Sequence, residues 1–560
     1  MKNSFVMIFR FAAMTGLWMM LAQPLAAQPN YANWVCRTND MWINLSNSGS
    51  MGNDGMSSAA GMTDPCPPNS WAPQCELPGG SGQEYLYYAS LWIGAIVVED
   101  GVEQPRVSVS NDGWMNPSIM EFWPGTTGSI TQRSRVDTVN CLGEQIYDSS
   151  LPADDEISTV FTDTLSASPY VLPDPADGPH FPLGIEVKAD YFTMRSVSCN
   201  HIYWIRYRIK NIGNHLLKNL YFGQYVDGDV GLAGFSDEHT DDLTGYDSTS
   251  QIAYICDNDG RHPYNSSGPP LVSNVTGMTF LSLPAGAQVS FNWWASNGDM
   301  ALDFGPAWSD YADRDSLGMG WTQRYGTPMG DAHKYQLMSN GEWDFDQVYF
   351  DSLAWMAAHP QNGHTWSTTD RPSNAYDLAN GNDARYMLSA GPFGSRVGDH
   401  TELAAGDSLE IWMAYVGGLN FHDPNHPQPT NAHIDPTLFD FADLRARAAA
   451  ARSGECFAWN LSMEKPRPTL TPAAFTLEPV YPNPFNSSTM IRFTVQRVGR
   501  VEIAVYDVTG RQVEKLAEGD MSAGTHAISW SAKGLPSGIY FVRGSGGNQA
   551  MQVQKALLIR

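Results

Sequence analysis

The run FTLEPVYPNPFNSSTMIRFTV, Phe475 to Val495, decides how the end of this chain folds. It is followed by VEIAVYDVTGRQVEKL (501–516), GTHAISW (524–530) and LPSGIYFVRG (535–544). Ile491, Phe493 and Val495 alternate with polar residues. So do Val501, Ile503 and Val505, and then His526, Ile528 and Trp530. A period of two puts one side of each run on a core and the other in water. Asp507-Val508-Thr509-Gly510 and Pro536-Ser537-Gly538 are turn signals between such runs. Residues 475–560 therefore read as a small all-β sandwich of ordinary domain size.

The wording of this stretch says more than its periodicity. Tyr481-Pro482-Asn483-Pro484-Phe485-Asn486 comes first, then Val505-Tyr506-Asp507 with Gly510-Arg511, then Gly538-Ile539-Tyr540-Phe541-Val542, and Lys555 near the end. These four segments, in this order, resemble the type A C-terminal sorting domain of the type IX secretion system. The resemblance implies an Ig-like sandwich that serves as an address. It implies export across an outer membrane by the type IX machinery, followed by removal of the module and attachment to the cell surface or release.

The rest of the chain agrees with such a route. Residues 1–27 read as a secretory signal peptide: Lys2 and Arg10 are basic, Phe11 to Leu21 is mostly apolar, and Leu25-Ala26-Ala27 offers small residues for cleavage. No later run has the roughly 20 apolar residues needed to span a bilayer. The protein is expected to be secreted or held on the outer-membrane surface. With 33 Lys+Arg against 59 Asp+Glu its formal charge is −26, which repels phosphate backbones and argues against nucleic-acid binding. A hydrophobic content of 42% with 18 Trp marks a packed chain rather than a disordered one. All seven Cys lie beyond the signal peptide, in a compartment that permits disulfides. Cys66 and Cys75 flank a Pro-rich loop and are expected to pair; the odd number leaves at least one thiol over.

Between the two ends the chain is β-rich, so the fold class is mainly β throughout. Residues 28–83, rich in Gly, Ser, Asn, Pro and Met, are expected to be an irregular N-terminal segment. Residues 84–459 are expected to form one large sandwich-like domain with a few helices, and 460–474 a Pro-rich linker to the sorting module at 475–560. Strands are expected at Thr276–Leu283, Gln288–Ala295 and Ser408–Val416. The turn Asn211-Ile212-Gly213-Asn214 makes the runs before and after it expected hairpin neighbours. Helices are expected over Asp346–Ala358 and Thr437–Arg452. YLYYASLWIGA (85–95), LKNLYFGQYVDGDVG (217–231) and LEIWMAYVGG (409–418) resemble segments of large secreted bacterial proteins that carry the same sorting domain. That resemblance brings no chemistry with it.

Chemistry has to come from side chains. Gly406-Asp407-Ser408-Leu409 spells an esterase-type nucleophile motif but precedes an apolar strand, where a turn explains it. His422, His426 and His433 with Asp423 lie in one loop, at a spacing that matches no standard zinc site. Carboxylates give the fuller signal. Asp227 and Asp229 stand two apart beside Gly228 and Gly231, and Asp241 and Asp242 follow after a loop. Hard oxygen donors at this density suit calcium, and these four are the expected ligands. Glu342, Asp344 and Asp346 form a second group. The function expected is a surface-displayed structural or adhesive protein that binds surface polysaccharide or other surface proteins. The alternative is a secreted glycoside hydrolase using paired carboxylates.

Overall fold

The computed structural model describes residues 31–52, 63–64, 66, 70–99, 101–113, 120–124, 128–166, 177–233, 238–261, 272–295, 330–352, 375–429, 433–458, 475–477, 480–495, 499–508, 511–522, 524–546 and 552–559. The proposed signal peptide and linker lie outside these residues. The chain divides into two compact units, Met1–Asn460 and Leu461–Arg560.

In the large unit two antiparallel sheets face each other. One has 13 strands, and its central run is Ser50–Gly52, Tyr88–Glu99, Leu217–Asp227, Ala384–Phe393 and Gln288–Ala295. The other has eight, in the order Ile130–Ser134, Asp155–Thr162, Ile185–Thr193, Ile202–Asn211, Ser408–Gly418, Val275–Ser282, Ile252–Asp257 and Asp242–Asp247. Side chains from both meet in one core. The rings of Tyr207 and Phe222 lie 5.0 Å apart, and Gln224 Nε2 donates to Tyr207 Oη at 2.9 Å. The outer face of each sheet is covered as well. The helix Asp331–Ser339 seals Trp92, Tyr225, Trp294 and Met387 on the larger sheet. The helix Ala442–Ser453 seals Trp204, Trp412 and Phe192 on the smaller, where Trp204 Nε1 donates to the Ala451 carbonyl at 3.0 Å. Central strands covered on both faces explain runs such as YASLWIGAIVV, apolar without alternation.

The strands expected at 276–283, 288–295 and 408–416 are present as Val275–Ser282, Gln288–Ala295 and Ser408–Gly418. Three expectations are corrected. The described part of residues 28–83 is not irregular: Asn33–Cys36, Trp42–Ser46, Ser50–Gly52, Cys75–Glu76 and Gln83–Tyr85 are strands of the 13-stranded sheet, with Ile43, Leu45, Met51 and Tyr85 buried. Strands of two to five residues are too short to display a period. The turn at 211–214 does not close a hairpin. Ile202–Asn211 pairs with Ile185–Thr193 and Ser408–Gly418, while Leu217–Asp227 pairs in the opposite sheet. Asn211 holds this crossing, donating through Nδ2 to the carbonyls of His215 and Leu403. Two runs apolar on both faces bury more by stacking than by pairing edge to edge. The helix expected from Asp346 appears only as a 3-10 turn, Gln347–Tyr349; residues 353–358 lie outside the described ones. There Gln347 is the buried side chain, bonded to Thr244 N and to the carbonyls of Asp242 and Leu378. The second helix forms over Ala442–Ser453, with Leu444 and Ala448 buried as expected and Gly454 capping it in the left-handed region, φ 76°.

The C-terminal unit is a sandwich of a three-stranded sheet (Phe475–Leu477, Ser488–Val495, Gly524–Ser531) and a four-stranded one (Gln512–Met521, Gly499–Asp507, Gly538–Gly546, Gln552–Leu558). The alternating residues read from the sequence are its core: Ile491, Phe493, Val501, Ile503, Val505 and Trp530 are all fully buried.

Candidate functional sites

The acidic cluster forms where the strand Leu217–Asp227 ends. Ladder pairing sets Asp227 opposite Arg385 on one side and Tyr88 on the other. Arg385 then reaches two carboxylates, Asp227 Oδ2 from Nε at 3.1 Å and Asp383 Oδ1 from Nη1 at 3.0 Å. Asp229 completes the group: one oxygen from each of Asp227, Asp229 and Asp383 lies within 4.8 Å of the others. Burial pushes the Asp227 carboxyl well above the ordinary range, and apart from the Arg385 ion pair neither of its oxygens receives a hydrogen bond. Asp229 is pushed up to about 7, by burial first and by the charge of Asp383 second. Burial also raises Asp383. Three carboxylates against one guanidinium leave an excess of negative charge that protons or a cation would offset.

Of the four expected ligands, the structure brings Asp227 and Asp229 together. Asp242 instead faces the Val230 backbone, whose N–H lies 3.3 Å from both its oxygens, and Asp241 ends a 3-10 turn beside it. Asp383, the third member, was not read from the sequence. It lies far along the chain and arrives only through the pairing of Asp227 with Arg385. Among the described residues this is the metal-capable group; the loop histidines do not form one. His422 is buried, bonds the Asp257 carbonyl at 2.9 Å and is pushed down to about 4 by burial. His426 pairs with Asp423 in solvent, and His433 packs on Tyr376.

The second acidic group is structural. Asp344 accepts from Trp293 N and Asp346 from Tyr246 N, stitching the segment 342–346 to two strands. Asp346 is pushed up to about 7 by burial and also accepts from Tyr254 Oη at 3.3 Å. Ser408 opens its strand, and the carbonyl of Asp407 before it accepts from Asn211 N.

The expected disulfide is also corrected. Cys66 pairs with Cys141, and Cys199 with Cys456. Cys75 is a free thiol turned into the core of its sheet, where burial holds it protonated, as are Cys36 and Cys256. Nearness in sequence could not show that Cys75 is buried in its sheet while Cys66 meets a cysteine 75 residues away. The Cys66–Cys141 bridge lines a cavity of about 250 Å³ whose charged walls are already matched, Arg195 to Asp155 and Arg37 to Asp64.

In the C-terminal unit the motif residues divide into two kinds. Asn483 clamps the last strand: Nδ2 donates to the Lys555 carbonyl at 2.7 Å, and Oδ1 accepts from Leu557 N at 2.8 Å. Phe485 is buried against Trp530, and its backbone pairs with Leu557 and Ile559. Pro482 offers its carbonyl to Thr489 Oγ1, with Pro484 following between Asn483 and Phe485. Tyr540 is buried and donates from its hydroxyl to the Pro536 carbonyl, two residues before Gly538 opens the strand. These residues build the fold. Tyr481 is 80% exposed, and Asn486, Arg511 and Lys555 are exposed as well, Arg511 being tied to Asp507 at 3.0 Å. Gly510 lies outside the described residues.

The C-terminal unit is thus a compact β-sandwich whose last strand is pinned by a Pro-Asn-Pro-Phe turn. Residues 479–560 match the family described as the secretion system C-terminal sorting domain. No curated protein matches the chain. Among solved structures, a polysaccharide lyase aligns over 85% of this chain at 8% identity and a TM-score of 0.17. The dimeric latent PorU of Porphyromonas gingivalis aligns over 84% at 9% and 0.15. The aligned parts span 46% and 29% of those chains. At these TM-scores neither supplies a fold or an activity here.

Proposed function

We propose that this chain is a secreted or cell-surface protein exported by type IX secretion machinery, and that its large β unit is the displayed part, structural or adhesive in role. The sorting-domain match at 479–560 carries this reading. It is supported by the signal-like residues 1–27 and by the absence, among the described residues, of a helix long and apolar enough to cross a membrane. The ligands that fit an adhesive role are surface polysaccharide or other surface proteins. Removing residues 475–560 is expected to hold the protein in the periplasm, measured by fractionating cells and medium. Normal appearance of the truncated chain outside would overturn the assignment. Intact mass of the exported protein is expected to show the module removed.

A second reading concerns calcium and is favoured by the three converging carboxylates. Asp227, Asp229 and Asp383 are hard oxygen donors, and the affinity would be modest, as in extracellular modules that work near about 10⁻⁴ to 10⁻³ M. Chelation is expected to lower the melting temperature, and Asp229→Asn with Asp383→Asn to abolish that difference. A wild-type melt unchanged by chelator and by added calcium removes the reading.

A further inference from the structure

The two outer faces of the C-terminal sandwich are built differently. On the three-stranded sheet the outward positions of Gly524–Ser531 are Thr525, Ala527, Ser529 and Ser531, all exposed and small or polar. On the four-stranded sheet the last two strands read Ile539, Phe541, Arg543 and then Val553, Lys555, Leu557 at their outward positions. Their inward neighbours Tyr540, Val542, Ala556 and Leu558 already fill the core. The outward apolar residues are therefore not required to hold the sandwich together. A soluble sheet with one face in water normally places polar side chains there.

Register gathers these outward residues into one patch. Tyr506, Phe541 and Lys555 stand in a row across three strands, with Arg543 opposite Val553 and Ile539 opposite Leu557. Ile539 and Val553 are 37% and 49% exposed. The Arg543 guanidinium lies 4.3 Å from the centre of the Tyr506 ring, and Lys555 is exposed with no ion pair among the described residues. The carboxylates of this sheet with ion pairs among the described residues are Glu518, met by Arg500 and Lys515, Glu502, on the outward face 3.8 Å from Lys515, and Asp507, met by Arg511, while Glu514 accepts from Trp530 Nε1. What remains is an apolar surface with two cations, Arg543 and Lys555, that form no ion pair among the described residues, and one carboxylate, Glu502, at its far edge beside Lys515. Asn483 fixes its position, because the carbonyl it holds belongs to Lys555.

We infer that this face is a docking surface for a protein whose contact area is apolar and edged with carboxylates, and that this protein belongs to the export machinery; the inference rests on the export reading above. Contiguous exposed apolar patches mark interaction sites, and unmatched cations at their centre select an acidic partner and speed its encounter. On this reading the sorting motif is written in two alternating sets. Phe485, Tyr540 and Val542 point in and build the module; Tyr506, Phe541 and Lys555 point out and are read.

The test uses the full chain in cells that carry the export system, comparing extracellular with periplasmic protein. Phe541→Glu with Val553→Glu is expected to cut the extracellular fraction about ten-fold or more, as loss of a binding hot spot would. Lys555→Glu, on an exposed side chain, is expected to reduce it in the same direction, and Lys555→Arg to restore it. Thr525→Glu with Ser529→Glu, on the other face, is the control and is expected to export normally. Melting of each purified chain confirms folding. Export of the Phe541 and Lys555 variants at wild-type level, while the 475–560 deletion is retained, overturns the docking face and leaves the export reading standing. Export of the deletion overturns both. A wild-type chain that dimerises in sedimentation, with the Phe541 variant monomeric but exported, assigns the face to a second copy and overturns the machinery as occupant.

Discussion

The two units of this chain carry opposite charge. The first 460 residues hold 22 Lys+Arg against 52 Asp+Glu, and the last hundred hold 11 against 7. They also bury themselves differently. The large unit covers the outer face of each of its sheets with a helix, and its acidic surface suits a body that stays soluble and repels its like. Among the described residues of the small unit no helix covers either outer face, and one of the two faces is apolar and basic. On the export reading proposed above, the difference separates a part to be displayed from a part to be handled. Within a single chain, charge and outward side chains thus divide along the same boundary as the contacts.

The largest effect that tests this division lies in the large unit's core. Phe222 fills the space between its two sheets, in ring contact with Tyr207 and Phe280. Phe222→Ala is expected to cost about 3–5 kcal/mol, as cavity-forming aromatic truncations do. It should leave recognition of the sorting module intact, since that module is a compact unit with its own core. Calorimetry on the full chain is expected to show one transition moving and another staying. If both move together, the units are not energetically separate and the comparison fails.

A smaller effect is expected in the C-terminal unit. Asn483→Ala removes two hydrogen bonds to the last strand and is expected to destabilise that unit by about 1–3 kcal/mol. Tyr481→Ala, at an 80% exposed position of the same motif, is expected to change stability by less than about 0.5 kcal/mol. A thermal melt of the two variants checks the split between residues that build and residues that are displayed. Equal destabilisation would show that the motif is structural throughout.

How far the sequence could be read followed from the range of the interactions. The small sandwich was legible residue by residue, because its strands alternate and its turns are local: Ile491, Phe493 and Trp530 are buried where the period places them. The large unit was legible in class and in several strands. It was not legible in topology, because strands apolar on both faces carry no phase to say which sheet they join. The turn at 211–214 looks like a hairpin and is a crossing between sheets. Two of the three carboxylates of the acidic cluster were visible, since Asp227 and Asp229 stand two apart in the sequence. Asp383 was hidden behind a ladder contact with Arg385, and no local rule points to it. Cys66 found its partner 75 residues away for the same reason.

The smallest expected effect is the response of the large unit to pH, and it also tests calcium. Asp229 in the folded chain titrates near 7, raised from 3.8, and burial holds Asp227 and Asp383 above the ordinary range as well. A carboxyl whose folded value is raised keeps its proton longer in the folded state than in the unfolded one. Folding therefore loses stability as pH rises from about 4 through about 7, where the unfolded chain has already released that proton. Arg385 offsets part of the repulsion, and Asp229 is half-buried, so solvent screens it; the expected drop in melting temperature between pH 5 and pH 8 is about a degree or two. On the calcium reading proposed above, a bound cation would replace the lost protons, so millimolar calcium is expected to remove this slope in the large unit and to leave the C-terminal transition unmoved. Differential scanning calorimetry at the two pH values, with calcium and with chelator, reads both transitions in one experiment. A slope that persists unchanged in calcium assigns the cluster to protons and Arg385 alone. A melting temperature that rises from pH 5 to pH 8 contradicts the raised values themselves.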